Sequence, residues 1–268
     1  MQQLTSLSKA KAWLGETATG NDAMITRLIE QASQFILNYL QRPTLFKDSV
    51  AETRDGLGGT SMVLRQWPVV SVESLVVGLS TISAAPAYPN SGVGYSLEPW
   101  DGLIPGRMQQ LSLRGYTYER GFNNVIVNYT YGFYTSNESY TVPSGSPYTV
   151  TVTPTYGVWG QDEGVTIGGA ALTKVASSPA SMQYSVADGV YTFNAAQANA
   201  TALISYSYVP SDIEQACIEI VGERYRYRQR IGQQSVSAAG QITTSFSLKA
   251  MQDYTREQLD LYKRIVPV

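Results

Sequence analysis

Apolar residues recur at steps of three and four between Met24 and Leu40. Met24, Ile25, Leu28, Ile29, Ala32, Phe35, Ile36, Tyr39 and Leu40 form one continuous stripe. That spacing predicts an amphipathic helix capped by Asn21 or Asp22 and stopped by Pro43. A shorter helix precedes it, with Ser6 as cap, Leu14 as last residue and Gly15 as stop. From Ser49 to Phe133 the period falls to two. Met62, Leu64 and Gln66 alternate with Val63 and Arg65, Trp67-Pro68 breaks the run, and Val70, Val72 and Leu75 to Leu79 follow. Leu111 and Leu113, then Val125, Val127, Tyr129 and Tyr131, repeat the alternation. Turn signals stand at Asp55-Gly56, Gly58-Gly59, Asp101-Gly102 and Asn123-Asn124.

Composition shifts near Tyr140. Up to Tyr208 the chain carries one lysine, Lys174, and three acids, Asp162, Glu163 and Asp188. Pro-Ser-Gly-Ser-Pro at 143–147 reads as a linker. Short alternating strands follow at Thr149 to Thr153, Val165 to Ile167, Met182 to Val186, Val190 to Phe193 and Ala202 to Tyr208, with a hairpin turn at Asp188-Gly189. This predicts a separate, all-β, sandwich-like module. Helix returns after Pro210: Ser211 and Glu214 have capping-box spacing, and Ile213, Ala216, Cys217, Ile220 and Val221 make a stripe. The helix is expected to end in Arg224, Arg226, Arg228 and Arg230, before Gly232. The polar stretch from Gln233 to Ser245 has no apolar repeat and is expected to be flexible or ordered by a partner. Leu248, Met251, Leu259, Tyr262 and Ile265 suggest a last amphipathic helix, ended by Pro267. The fold class is therefore α+β. A helical core with an antiparallel β region occupies 1–139 and 209–268, and the β module at 140–208 interrupts it.

Composition removes several chemistries. The 268 residues include no histidine and one cysteine. Imidazole general bases, Ser-His-Asp and Cys-His nucleophiles and His-containing metal sites are excluded. One cysteine allows no internal disulfide, so a reducing cytosol suits assembly at least as well as an oxidising compartment. Lys+Arg number 19 against 21 Asp+Glu, which disfavours a generic grip on DNA or anionic lipid. Charged residues make up 15%, against about 25% in ordinary globular proteins. With 19 tyrosines and 23 glycines, this suits β structure and large interfaces. Met1 to Gly20 lacks the apolar core of a signal peptide, and no stretch is apolar enough to span a membrane.

Chemistry without histidine leaves paired carboxylates, as in glycosidases. Asp162, Glu163, Asp188, Asp55 and Asp101 are the candidates. Each lies within two residues of glycine in a turn-like pattern, where local hydrogen bonding is the plainer account. Asp162-Glu163 could also offer oxygens to Ca²⁺. Gly56, Gly58 and Gly59 read as a hairpin because no Gly-Lys-Ser/Thr follows. The arginines at 224, 226, 228 and 230 interleave with Tyr225 and Tyr227. They fit a solvated helix end, an interface with acidic neighbours, or contact with passing nucleic acid. Like-charge spacing of four costs a few tenths of a kcal/mol, while the helix dipole favours cations here. Trp13, Trp67, Trp100 and Trp159 fit core or interface, with sugar stacking as the alternative. Cys217 reads as a small buried hydrophobe.

Four segments in order, NDAMITRLIEQASQFILNYLQRP, RDGLGGTSMVLRQWPVVSVESLVV, NNVIVNYTYGF and VPSDIEQACIEIVGERYRYRQR, together resemble the head-tail connector, adaptor or head completion proteins of tailed bacteriophages. The resemblance covers about 1–135 and 209–268 and rests on order and spacing. In that family Val-Pro-x-x-Ile/Leu-x-x-Ala follows the Tyr-x-x-Gly-Phe/Tyr strand closely. Here the β module separates Phe133 from Val209, which leaves its role open between packing and recognition of carbohydrate or a cell surface. The resemblance implies a non-enzymatic virion protein without cofactor. It implies a ring of about twelve copies beneath the portal protein, assembled in the host cytoplasm. The ring would extend the channel for double-stranded DNA and carry a stopper or tail-terminator protein. The portal-docking arm would fall on Phe246, Leu248, Met251, Tyr254, Leu259, Tyr262 and Ile265, and a ring interface or channel lining on Arg224, Arg226, Arg228 and Arg230.

Overall fold

A computed structural model describes residues 2–86, 92–98, 109–228 and 251–264, and the backbone of 235–238 and 242–245. The chain is mixed, with four α-helices among the described residues and mostly antiparallel sheets. It divides into two compact units: Met1–Pro43 with Pro210–Lys263, and Thr44–Val209.

The first unit is helical: α1 (Leu7–Leu14), α2 (Asp22–Leu40), α3 (Ser211–Tyr227) and α4 (Asp253–Asp260). Ser6 accepts from the Lys9 N–H, and Gly15 closes α1 in the left-handed region at φ 71°. The stripe read from α2 buries Ile25, Ile29, Ala32, Ile36 and Leu40, joined by Ser33 and Leu37. Each fully buried aliphatic side chain contributes about 1.5–3 kcal/mol. Helix α2 ends at Leu40 with Gln41 left-handed, two residues before Pro43. Asn21 stands at its N-cap, but its side chain makes no capping bond; the amide donates to the Tyr225 hydroxyl at 3.0 Å. The α3 stripe of Ile213, Ala216, Cys217, Ile220 and Val221 is buried as expected. The Ser211–Glu214 capping box is not formed. Pro210 is the cap, and the Glu214 carboxylate receives Lys9 Nζ at 2.9 Å and the Thr5 hydroxyl at 3.3 Å. A cation is the stronger partner for that carboxylate than a backbone N–H. The α3 helix closes at Tyr227, before Arg228. Within the stretch expected to be flexible or ordered by a partner, Ser235–Ala238 and Ile242–Ser245 pair as antiparallel strands.

The second unit begins with β1 (Asp48–Gly56), β2 (Ser61–Val63), β3 (Val69–Val77), β4 (Ser80–Ile82), β5 (Gly94–Glu98), β6 (Gln110–Arg114) and β7 (Gly121–Tyr131). They form one sheet in the order β1-β7-β3-β4 and another in the order β2-β6-β5. The alternating residues of each point into one shared core. Met62, Leu64, Leu75, Leu111, Leu113, Val125, Val127 and Tyr129 are all in it. Asp55-Gly56 and Asn123-Asn124 are not hairpin turns. They lie inside β1 and β7 and face each other across a register shift, where the Asn123 N–H donates to Asp55 at 2.7 Å and the Gly56 N–H to Asn124 at 2.8 Å. A side chain at Gly56 would meet the Glu119 carbonyl oxygen at 1.8 Å, so only glycine fits there.

Further strands follow: β8 (Tyr134–Thr141), β9 (Thr149–Thr151), β10 (Gly157–Ile167), β11 (Ala170–Ala171), β12 (Thr173–Lys174), β13 (Gln183–Ala187), β14 (Val190–Phe193) and β15 (Thr201–Pro210). They make two four-stranded sheets, β11-β10-β15-β8 and β12-β13-β14-β9. The Asp188-Gly189 turn joins β13 to β14, with both residues at positive φ, 47° and 79°. Strand β8 starts at Tyr134, six residues before the composition shift, and pairs with β15 from Tyr134↔Ser207 to Thr141↔Thr201. Its polar run, Thr135 to Ser139, carries no apolar alternation by which to read it.

Candidate functional site

Helix α3 carries Arg224 and Arg226, Arg228 caps its end, and the structure separates these three. Arg224 lies over the Phe35 ring, 5.4 Å from its centroid. Burial there lowers its pKa from the usual guanidinium value. Arg228 covers the Tyr225 ring at 4.3 Å, donates to the Tyr225 hydroxyl at 3.1 Å, and reaches Met24 Sδ at 3.3 Å. The Tyr225 hydroxyl also donates to Glu16, the bond that most raises its pKa. Arg226 is exposed and helps line a hollow with Trp13, Glu219, Glu223, Met251 and Tyr254. Arg230 lies outside the described residues. Arg224 and Arg228 therefore contact α2 and α3 groups of their own unit, while Arg226 and Arg228 both remain exposed to solvent or another chain.

Residues 251–263 are placed against α2 and α3. Met251 and Leu259 are buried, Leu259 completely. Thr255 and Tyr254 donate to the Glu219 carboxylate at 3.1 and 2.7 Å, and Tyr262 donates to Asp212 at 3.1 Å. From α2, Tyr39 donates to Asp260 at 2.6 Å, and Lys263 sits over the Tyr39 ring at 4.0 Å while pairing with Asp260 at 2.7 Å. That pairing lowers the Asp260 pKa and raises that of Lys263. The apolar surface that α4 offers outward is small: Tyr254 and Leu261 are exposed. Phe246, Leu248 and Ile265 lie outside the described residues.

The carboxylate candidates do not converge. Asp162 and Glu163 are in the middle of β10, not in a turn. Asp162 has a side chain only 4% exposed, accepts from the Tyr184 and Tyr191 hydroxyls at 2.8 and 3.0 Å, and pairs with Lys174 at 3.2 Å. Burial first, and the carboxylate second, raise both tyrosine pKa values well above normal. Trp159 donates to the Tyr191 hydroxyl at 3.2 Å and meets that ring edge-on. Glu163 accepts from Ser207 at 2.7 Å. Asp188 is in the β13–β14 turn, Asp55 is tied to the Asn123 backbone, and Asp101 and Trp100 lie outside the described residues. Among the described residues, no group of three or more His, Cys, Asp or Glu could hold a metal ion. Nor is any helix among them long and apolar enough to cross a membrane. Cys217 is fully buried beside Ser33, and burial pushes its thiol up to about 12. Trp67 and Trp159 point into packing contacts, and Trp13 is half exposed at the hollow.

Two functional-looking features went unread in the sequence: the Asp162–Tyr184–Tyr191 cluster and the buried Glu52. Glu52 is held by Arg54 at 2.8 Å, the Tyr129 hydroxyl at 2.8 Å and the Arg65 N–H at 3.1 Å. Both are internal ties between strands. What the geometry offers is a set of surfaces. Residues 3–99, which hold α1, α2 and β1 to β5, match the family described as head completion protein. That match supports the resemblance to phage head-tail connector and head completion proteins. No curated protein matches the chain.

Proposed function

We propose that the protein is a structural component of a phage neck that completes the filled head and joins it to the tail. The observation that carries this reading is the head completion match over residues 3–99. It falls on the helix pair and first strands, which hold two of the four segments that carry the resemblance. In this reading about twelve copies form a ring beneath the portal protein. The ring extends the channel through which double-stranded DNA passes, and its far face receives a stopper or tail-terminator protein. A near-neutral chain suits a channel that lets DNA slide. Arg226, exposed at the end of α3, is the described arginine best placed to meet a neighbouring subunit or the passing duplex. The segment from 246 onward is the portal-docking arm, and α4 packed on α3 is its arrangement in the free subunit. The β8 to β15 sheets decorate or brace the assembly.

Deleting residues 246–268 tests the arm. The expected product keeps α1 to α3 and the β unit, with circular dichroism close to that of the full chain, and fails to join portal-bearing heads to tails. Undiminished joining by the folded, truncated protein would contradict the assignment.

A further inference from the structure

Three loops meet at one end of the β1-β7-β3-β4 sheet. The Gly58 N–H donates to the Tyr118 carbonyl at 2.6 Å, the Gly78 N–H to the Asn124 carbonyl at 2.7 Å, and the Asn124 side chain to the Glu119 carbonyl at 2.8 Å. These bonds bring the loop after β1, the β3–β4 turn and the β6–β7 connection into one rigid tip. Large apolar side chains face solvent at this tip: Leu57 after β1 is 68% exposed, Phe122 at the start of β7 84% and Leu79 in the β3–β4 turn 104%. None of the three packs into the core below. Beside them opens a hollow of about 520 Å³, lined by Val77, Ile82, Leu113, Tyr116 and Glu119 among others.

Leu57, Leu79 and Phe122 together expose on the order of 400 Å² of apolar surface, the size of patch that on a monomer is often functional. A standard interface takes about 800 Å² from each partner, so these side chains and the hollow supply about half of one. Charge selects the occupant. Glu119 and Arg120 are neighbours in the chain, both exposed, and on the described tip neither side chain makes an ion pair. The Arg120 stem lies along Gly58 and a Glu119 oxygen lies 3.5 Å from where a side chain at Gly78 would begin, so both charges flank the apolar knobs. A surface that carries a knob next to a hollow, and an acid next to a base, is complementary to a copy of itself. We infer that the tip is an isologous contact through which two copies of this chain pair. Leu79 and Phe122 of each fill the hollow of the other, and Glu119 of each meets Arg120 of the other. The pairing stands on the tip alone and does not rest on the neck assignment.

Sedimentation velocity of the purified full chain over a range of concentrations tests it. A monomer–dimer equilibrium is expected. Leu79→Asp with Phe122→Asp should weaken it by about a hundredfold or more. Both positions are exposed, so circular dichroism should not change. Glu119→Arg alone, or Arg120→Glu alone, should weaken pairing by about tenfold, and the two reversals in one chain should restore it. That recovery is the signature of self-pairing, because a different partner would not carry the reversed charges. A monomer at every concentration would overturn the inference. So would pairing that survives the two aspartates, charge reversals that do not compensate, or tip-dependent species larger than two. Head joining by the unpaired variants is a separate readout, so loss of pairing and failure of the neck assignment remain distinguishable.

Discussion

Asp162→Ala is expected to destabilise the β unit by about 3 kcal/mol, read as a lower midpoint in urea unfolding followed by tryptophan fluorescence. The carboxylate is withdrawn from water, with 4% of its side chain exposed, and satisfies two tyrosine hydroxyls from β13 and β14 at once. Alanine would leave both hydroxyls buried without their acceptor, at a cost of about 1–3 kcal/mol each. Its ionic partner contributes far less. Lys174 is 53% exposed, so Lys174→Ala should cost less than about 1 kcal/mol. Asp162→Asn should fall between, since one oxygen remains to accept from Tyr191. Equal effects at Asp162 and Lys174 would mean that the ion pair, and not the tyrosine cluster, holds the two sheets together.

Gly132→Ala should be as damaging, by about 3 kcal/mol or more. Gly132 joins β7 to β8 at φ 128°, in backbone space that side chains rarely enter. A Cβ there would stand 2.5 Å from the Phe46 carbonyl oxygen and 2.7 Å from the Lys47 nitrogen. Those atoms are backbone and cannot swing away. The flanking N–H groups are committed too, Gly132 to Pro68 and Phe133 to Leu45, both at 2.9 Å. Gly145 makes the control: nothing lies within 4 Å of its Cβ position. Gly145→Ala should leave the thermal midpoint unchanged or slightly raised.

What could be read from the sequence was whatever depends on local period. The α2 stripe, the Ser6 and Gly15 ends of α1, the core positions of β6 and β7, and the Asp188-Gly189 turn all follow from steps of two or 3.6 and from turn chemistry. What could not be read depends on partners far along the chain. Glu214 has capping-box spacing, yet Lys9 lies 205 residues away in sequence and claims its carboxylate. Asp55-Gly56 and Asn123-Asn124 look like two turns, yet each completes the other across a register shift. Asp162, between Gly160 and Gly164, looked like turn chemistry, yet its tyrosines come from strands 22 and 29 residues on. The arginine run looked like one patch, but a helix turns each residue through about 100°. Arg224 and Arg228 therefore meet Phe35 and Tyr225, and Arg226 faces away from them. The Ser235–Ala238 and Ile242–Ser245 hairpin has no apolar period to announce it.

In the proposed reading this chain docks onto a portal as a structural part of a phage neck. Negative-stain imaging of the purified protein, mixed with isolated portal rings and alone, tests it most directly. The account predicts a closed ring of additional density on one face of the portal, coaxial with its channel, and loss of that density when residues 246–268 are deleted. Bare portal rings at saturating concentrations of the folded full chain would contradict it.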